Sequence, residues 1–287
     1  TFRNWSHYPD NQCLCWYWCS LYQLFLKPDS NKDETLHQIS NMIFTLAVIE
    51  TVLYLLIVLF FKEKPDTPPS RAAAAQRVEF KSSVKIIAKD KNFMMMLLGL
   101  AMLVGSLQSF QAIVEPFLVP FNVVGNSVGT SCTIGVFAGI IPTILFSKYV
   151  SKSHKYKFSI LVSAILAFLL LIGMLGVSFT GNILLTEAVT IGYLTIMAPI
   201  LPLSFIILAD ISFPVPEPVS GGIFYVVAQI FDTVLPLIFS SIMNDNTLSE
   251  SLITLFILMG VQVTGVVLVM VAKEDLKRVK HENKQLL

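Results

Sequence analysis

Residues 210–232 run Asp210-Ile-Ser-Phe-Pro-Val-Pro-Glu-Pro-Val-Ser-Gly-Gly222 and continue Ile223-Phe-Tyr-Val-Val-Ala-Gln-Ile-Phe-Asp232. The first half excludes regular helix around its prolines. Pro214, Pro216 and Pro218 each lack an amide donor, and each biases its predecessor toward extended geometry. The second half is an apolar helix carrying one amide, Gln229, and one carboxylate, Asp232. Isolated polar groups on such a helix need a protein-lined or water-lined surface, because hydrocarbon cannot satisfy them.

Outward from this stretch, apolar blocks of membrane-spanning length recur. Spans are expected at 42–61, 93–118, 128–147, 158–178, 183–209, 219–243 and 251–272. About twenty apolar residues cross a bilayer as helix. The composition agrees: 54% of the 287 residues are hydrophobic and 14% charged, against about 25% charged in soluble domains. Mean hydropathy is +0.71. The expected fold is an all-α polytopic membrane protein.

Charge in the connections alternates. Basic residues crowd the 62–91 linker, the 148–157 loop (Lys148, Lys152, Lys155, Lys157) and the tail (Lys273, Lys277, Arg278, Lys280, Lys284). The loops at 119–127, 179–182 and 244–250 have none. The positive-inside rule puts the basic segments in the cytosol. Within the linker, 82–89 has an apolar edge of Val84, Ile87 and Ala88 opposite Lys81, Lys85 and Lys89, the pattern of a short helix on the membrane surface.

The division expected is a poorly defined segment and extracellular loop at 1–41, a helix at 42–61, a basic cytosolic linker at 62–92, a six-helix bundle at 93–272 and a cytosolic tail at 273–287. Long cytosolic linkers of this kind join the two six-helix halves of major facilitator superfamily transporters. On that plan the spans are the last helix of the first half and all six of the second. The start at Thr1, without Met, reads as an incomplete chain.

Several chemistries lack their motifs. There is no Gly-rich phosphate loop, His-Glu-x-x-His or nucleophile elbow, so an enzyme is not expected. The basic residues form loops rather than one patch, which argues against nucleic acid. Cys13, Cys15 and Cys19 have no histidine at ligand spacing, and no metal or cofactor is expected.

Three stretches carry a family resemblance. Phe60-Phe61-Lys62-Glu63-Lys64-Pro65, with Pro68-Pro69-Ser70, resembles the end of the sixth helix in the feline leukaemia virus subgroup C receptor-related (FLVCR) transporters. Leu201-Pro202-Leu203 leading to Asp210-Ile211-Ser212-Phe213-Pro214 resembles their tenth helix. Glu217, Ser220-Gly221 and Ala228-Gln229-Ile230-Phe231 resemble their eleventh. The resemblance implies a facilitator of choline and ethanolamine, with haem export also attributed to the family. It implies substrate contact at Gln229, the match to a helix-eleven Gln that helps enclose a quaternary ammonium. A helix-seven Tyr of the family falls at Gln108 here, and Asp232 stands where the family usually has Gly. Both are departures. Ring faces hold a cation by roughly 0.5–2 kcal/mol, which an amide does not supply.

From the residues themselves, Asp232 lies at i+3 from Gln229 and Tyr225 at i−4, so all three can share one face. Gln108 and Gln111 are likewise at i and i+3. These five are the candidate substrate residues. Asp210, Glu115, Pro199 and Pro202 are candidate gating or structural positions: Asp210 toward the lysines of 148–157, Glu115 at an outer vestibule, the prolines as kinks. The expected activity is facilitated transport of a small organic cation such as choline or ethanolamine, or of haem, by a monomer in the bilayer. The plasma membrane is the expected location, with a mitochondrial or other organelle membrane as the alternative. A non-transporting fragment or membrane receptor, and a facilitator of another small metabolite, are the competing readings.

Overall fold

A computed structural model describes residues 32–61, 80–123 and 126–278. The cysteine-bearing segment, most of the linker and the end of the tail lie outside the described residues. The helices are α1 (Lys32–Phe60), α2 (Phe80–Lys89), α3 (Lys91–Ala112), α4 (Val114–Leu118), α5 (Asn126–Ser153), α6 (Tyr156–Val177), α7 (Ile183–Met197), α8 (Ile200–Ser212), α9 (Glu217–Ile242) and α10 (Leu248–Val271). Among the described residues, seven segments are long and apolar enough to cross a membrane, with α7 and α8 together forming one of them. The protein is an all-α, multi-pass membrane protein.

Each span begins or ends where the backbone chemistry changes. Asp90 caps α3, its carboxylate accepting from the amides of Asn92 (3.0 Å) and Phe93 (3.1 Å). Thr247 and Glu250 form a reciprocal capping box at α10. The expected span 93–118 is divided at Ile113, whose φ/ψ of −115°/7° leaves the helix. Pro116 cannot donate to the carbonyl four residues back, which is that of Ala112. The expected kink at Pro199 and Pro202 is a two-residue interruption between α7 and α8, where Ala198 and Pro199 keep right-handed helical dihedrals and the span continues. Pro142 and Pro236, by contrast, sit inside α5 and α9.

Three boundaries differ from expectation. α1 starts at Lys32, so residues 32–41 are helical rather than loop. α5 runs through Lys148 and Lys152 to Ser153, which leaves only a short turn before α6. α8 continues to Ser212, so only 213–216 separates it from α9, and Pro218 occupies the first turn of α9. A first turn makes no use of the proline's missing amide.

α3 is the central element, buried along one or more faces from Phe93 to Phe110. It packs on α9, α10 and α8; α5 pairs with α7, and α6 with α7 and α10. Glycines permit the closest approaches. The α-carbon of Gly99 faces Gly265 of α10, where a methyl on Gly99 would lie 2.9 Å from the Gly265 carbonyl. A methyl on Gly105 would lie 2.4 Å from Cβ of Phe231 on α9. Small residues do this work in membranes, where helix association rests on close packing rather than on hydrophobic burial.

The basic ends of the helices are tied by residues 270–278. Asn92 and Lys273 exchange two hydrogen bonds, the Asn92 amide donating to the Lys273 carbonyl at 2.8 Å and its oxygen accepting from the Lys273 amide at 2.6 Å. Lys277 pairs with Asp90 at 3.0 Å. Lys157 donates to the carbonyls of Met270 and Ala272, both at 2.7 Å, capping the end of α10. Arg278 pairs with Glu217 at the start of α9. The expected tail is thus, in its described part, a strap across α3, α6 and α9.

Candidate substrate-facing flank

Gly105 lets α3 and α9 lie in contact and in register. It meets Ala228 and Phe231, and one turn later the Ser109 hydroxyl donates to the Gly105 carbonyl at 2.6 Å and to the Phe231 carbonyl at 3.3 Å. Rising residue numbers match rising residue numbers, so the two helices run parallel. With about 3.6 residues per turn, this register sets every other side chain. Gln108 and Gln111 leave α3 on one side of the contact line. Tyr225, Gln229 and Asp232 leave α9 on the same side. The five residues singled out in the sequence therefore share one flank of one helix pair.

The environment of each is distinct. Gln108, Gln111, Gln229 and Asp232 are half-buried. Tyr225 is 43% exposed. Tyr225 and Gln229 line an open groove of about 420 Å³ with Val226, Ile230, Thr233 and Val234. The amide oxygens of Gln108, Gln111 and Gln229 are buried without a hydrogen-bond partner. Among the described residues no hydrogen bond or ion pair is recorded for the Asp232 carboxylate, which does not line the Tyr225–Gln229 groove itself. A packed helix pair offers few free donors, because its amide hydrogens are committed to helix bonds.

The gating candidates lie elsewhere. Glu115 is half-buried in the short helix α4, beyond the break at Ile113. Pro199 is the N-cap residue of α8, at its junction with α7, and Pro202 lies in the first turn of α8. Asp210 is 4% exposed at the basic end of α8, where it is hydrogen-bonded to the Tyr156 hydroxyl, with Glu274 and Arg278 close enough to act on Tyr156. The Tyr156 hydroxyl is a partner that the expected lysine contact did not include. Lys148, Lys152 and Lys155 are exposed, and Lys157 is engaged with the end of α10. A hydroxyl reaches a buried carboxylate without desolvating a second charge. A second groove of about 410 Å³ lies nearby, between α8 and α9, walled by Phe205, Ile206, Pro218 and Gly221 and closed on one side by the Glu217–Arg278 pair.

At the same end, burial opposes ionisation of Asp90, but the Lys277 hydrogen bond, the Phe93 and Asn92 amides and the Lys277 charge outweigh it and hold the carboxyl below its ordinary value.

Sequence reasoning missed Gln262. It is fully buried on α10, and its side-chain nitrogen donates to the Ala164 carbonyl of α6 at 3.0 Å and lies 4.0 Å from the Met197 sulfur, next to the α7–α8 break. A lone amide inside an apolar span was the available signal. Tyr193, buried on α7, lies with its ring 5.1 Å from that of Phe110 and its hydroxyl beside Ser106.

The chain is 29% identical to the choline/ethanolamine transporter flvcr2a of Danio rerio over 264 residues, which is 86% of this chain and 53% of the relative. It is 26% identical to the choline/ethanolamine transporter FLVCR2 of Homo sapiens over 273 residues, 90% of this chain and 49% of the relative. It is 30% identical to the choline/ethanolamine transporter FLVCR1 of Mus terricolor over 254 residues, 84% of this chain and 44% of the relative. The chain is a homologue of the FLVCR transporters. It spans about half the length of the relatives it matches. No family model matches it. The homology agrees with the resemblance carried by the 60–70, 201–214 and 217–231 stretches.

Proposed function

We propose that this chain supplies the second half of a facilitative transporter for a small organic cation, choline or ethanolamine, which works by alternating access. The observation that carries the reading is the convergence of Gln108, Gln111, Tyr225, Gln229 and Asp232 on one flank of the α3–α9 pair. A polar flank in a membrane bundle needs water, a partner helix or a ligand. A carboxylate, amide oxygens and one exposed aromatic ring suit a cation. In this reading Gln229 contacts the substrate and Tyr225 forms a wall beside it. Asp232 supplies the opposing charge. The breaks at Ile113 and at Pro199 are where the bundle bends as the two halves rock. Asp210 holds the α8 end in the basic-end network.

Haem gains no support from this flank. The described histidines, His37 and His154, lie on α1 and in the α5–α6 turn, not on α3 or α9. A receptor that does not transport remains a distinct outcome and is tested with the main reading. Cells expressing the protein from its full reading frame are given labelled choline and labelled ethanolamine separately. Saturable uptake of either above vector controls is expected. Surface expression without uptake of either overturns the reading and favours a receptor or a carrier of another metabolite.

A further inference from the structure

The unpaired amide oxygens on the flank carry a sharper statement about substrate. Gln108, Gln111 and Gln229 each turn an oxygen inward to a place where it meets no donor. Gln262 also has a buried oxygen without a partner, but its nitrogen shows what the interior accepts: it donates to a helix carbonyl. Helix backbones offer carbonyl lone pairs to neighbouring side chains, and their amide hydrogens are already used. A half-turn of each terminal carboxamide, which exchanges oxygen and nitrogen at almost no steric cost, sends the nitrogen inward and presents the oxygen to the open flank. Three amide oxygens then lie on the same flank as the Asp232 carboxylate, with Gln229 lining the groove itself.

Such a surface is rich in acceptors and poor in rings. Tyr225 is the one exposed aromatic side chain that α3 and α9 place there. Acceptors discriminate between cations by their hydrogens. A primary ammonium brings three N–H donors and can satisfy several oxygens at once. A trimethylammonium brings none and interacts through its methyl groups, which are best held by ring faces. Bound against these oxygens with water displaced, it leaves them unsatisfied, which is the situation in which polar sites reject an analogue most strongly.

We propose that the α3–α9 flank selects organic amines that retain N–H hydrogens, of the ethanolamine class, over quaternary ammonium compounds of the choline class, through the amide oxygens of Gln108, Gln111 and Gln229 and the carboxylate of Asp232. Gln108 is the main determinant. It lies one turn beyond the Gly105 contact, so a ring at that position would face the same flank. The inference rests on the organic-cation reading above and specifies the substrate of that same site.

The test is uptake kinetics in cells expressing the full reading frame, with labelled ethanolamine and labelled choline, and with N-methyl- and N,N-dimethylethanolamine as competitors. Half-saturation for ethanolamine is expected at least about tenfold below that for choline, and competitor strength is expected to fall with each added methyl. Gln108→Tyr is expected to move the ratio toward choline. The methylation series on the unaltered protein keeps the test decisive if that variant fails to reach the membrane. Uptake of both substrates with choline equal or preferred, or a competitor series that does not fall with methylation, overturns the selectivity and leaves the transport reading standing. A well-expressed Gln108→Tyr protein with an unchanged ratio overturns the role of Gln108. Uptake of neither substrate overturns the transport reading, and this inference with it.

Discussion

Adding one methyl group at Gly105 should disturb stability and transport together. A Cβ there would sit 2.4 Å from Cβ of Phe231 and 3.2 Å from the Ala228 carbonyl oxygen. Carbon atoms in ordinary contact need about 3.5 Å, so α3 and α9 must part by about 1 Å. Both obstructing atoms belong to the backbone or to its first side-chain carbon, so neither can swing aside. Overpacking of this kind costs about 1–3 kcal/mol, and a domain of this size loses about 2–4 °C in Tm per kcal/mol. Parting the helices also weakens the 3.3 Å contact from Ser109 to the Phe231 carbonyl and moves Gln108 relative to Gln229. Gly260→Ala is the control, because nothing lies within 4 Å of the added methyl. Purified variants in detergent would be compared by thermal unfolding, and expressing cells by uptake. Gly105→Ala should lower both Tm and uptake while Gly260→Ala changes neither. A Gly105→Ala protein with native Tm and native uptake would refute the claimed register.

Other variants test the remaining contacts. Tyr156→Phe strips a hydroxyl from the buried Asp210 carboxylate and should destabilise by about 1–3 kcal/mol, read as a lower Tm; an unchanged Tm would mean that another group satisfies Asp210. Asp90→Asn keeps the helix cap but loses the Lys277 pair, which is about a third exposed on each side, so its cost should stay below about 1 kcal/mol. Because the Asp90 carboxyl is held below its ordinary value, the stability it contributes is present above that value and disappears as pH falls through the depressed one. The Tm gap between wild type and Asp90→Asn should therefore shrink toward acid, and a gap that widens there would contradict the pairing. Gln262→Met removes one 3.0 Å hydrogen bond together with one unpaired oxygen. Side-chain hydrogen bonds in membranes average about 0.6 kcal/mol, so Tm should change little, and a large loss would show that the Gln262 oxygen has a partner such as buried water.

The spans were legible because hydrocarbon thickness is written directly into apolar run length. The two interrupted ones were legible only in part. Pro199 and Pro202 signalled a kink, and the structure places it as a two-residue interruption at Ala198 and Pro199. Pro116 lies three residues beyond the break at Ile113, so the span looked continuous. Motif spacing placed Gln108 with Gln111, and Gln229 with Tyr225 and Asp232, as two separate faces. That the faces adjoin depends on Gly105 meeting Ala228, a contact between residues more than a hundred positions apart, which single-helix periodicity cannot reveal. The strap at 270–278 was hidden for the same reason: a basic tail reads as solvated until its carbonyls and charges are seen to serve other helices. Charge complementarity suggested lysines for Asp210, and spacing alone gave no sign of the Tyr156 hydroxyl that reaches it from another helix.

The most direct test of the central claim is the half-saturation of ethanolamine and choline uptake in Gln229→Ala, with surface expression measured in the same cells. Gln229 lines the open groove, and its removal takes an amide oxygen from the flank without filling space. The account predicts that half-saturation rises severalfold or that uptake is lost while the protein still reaches the membrane. Uptake with unchanged half-saturation and unchanged maximal rate would contradict the assignment of this flank to the substrate path.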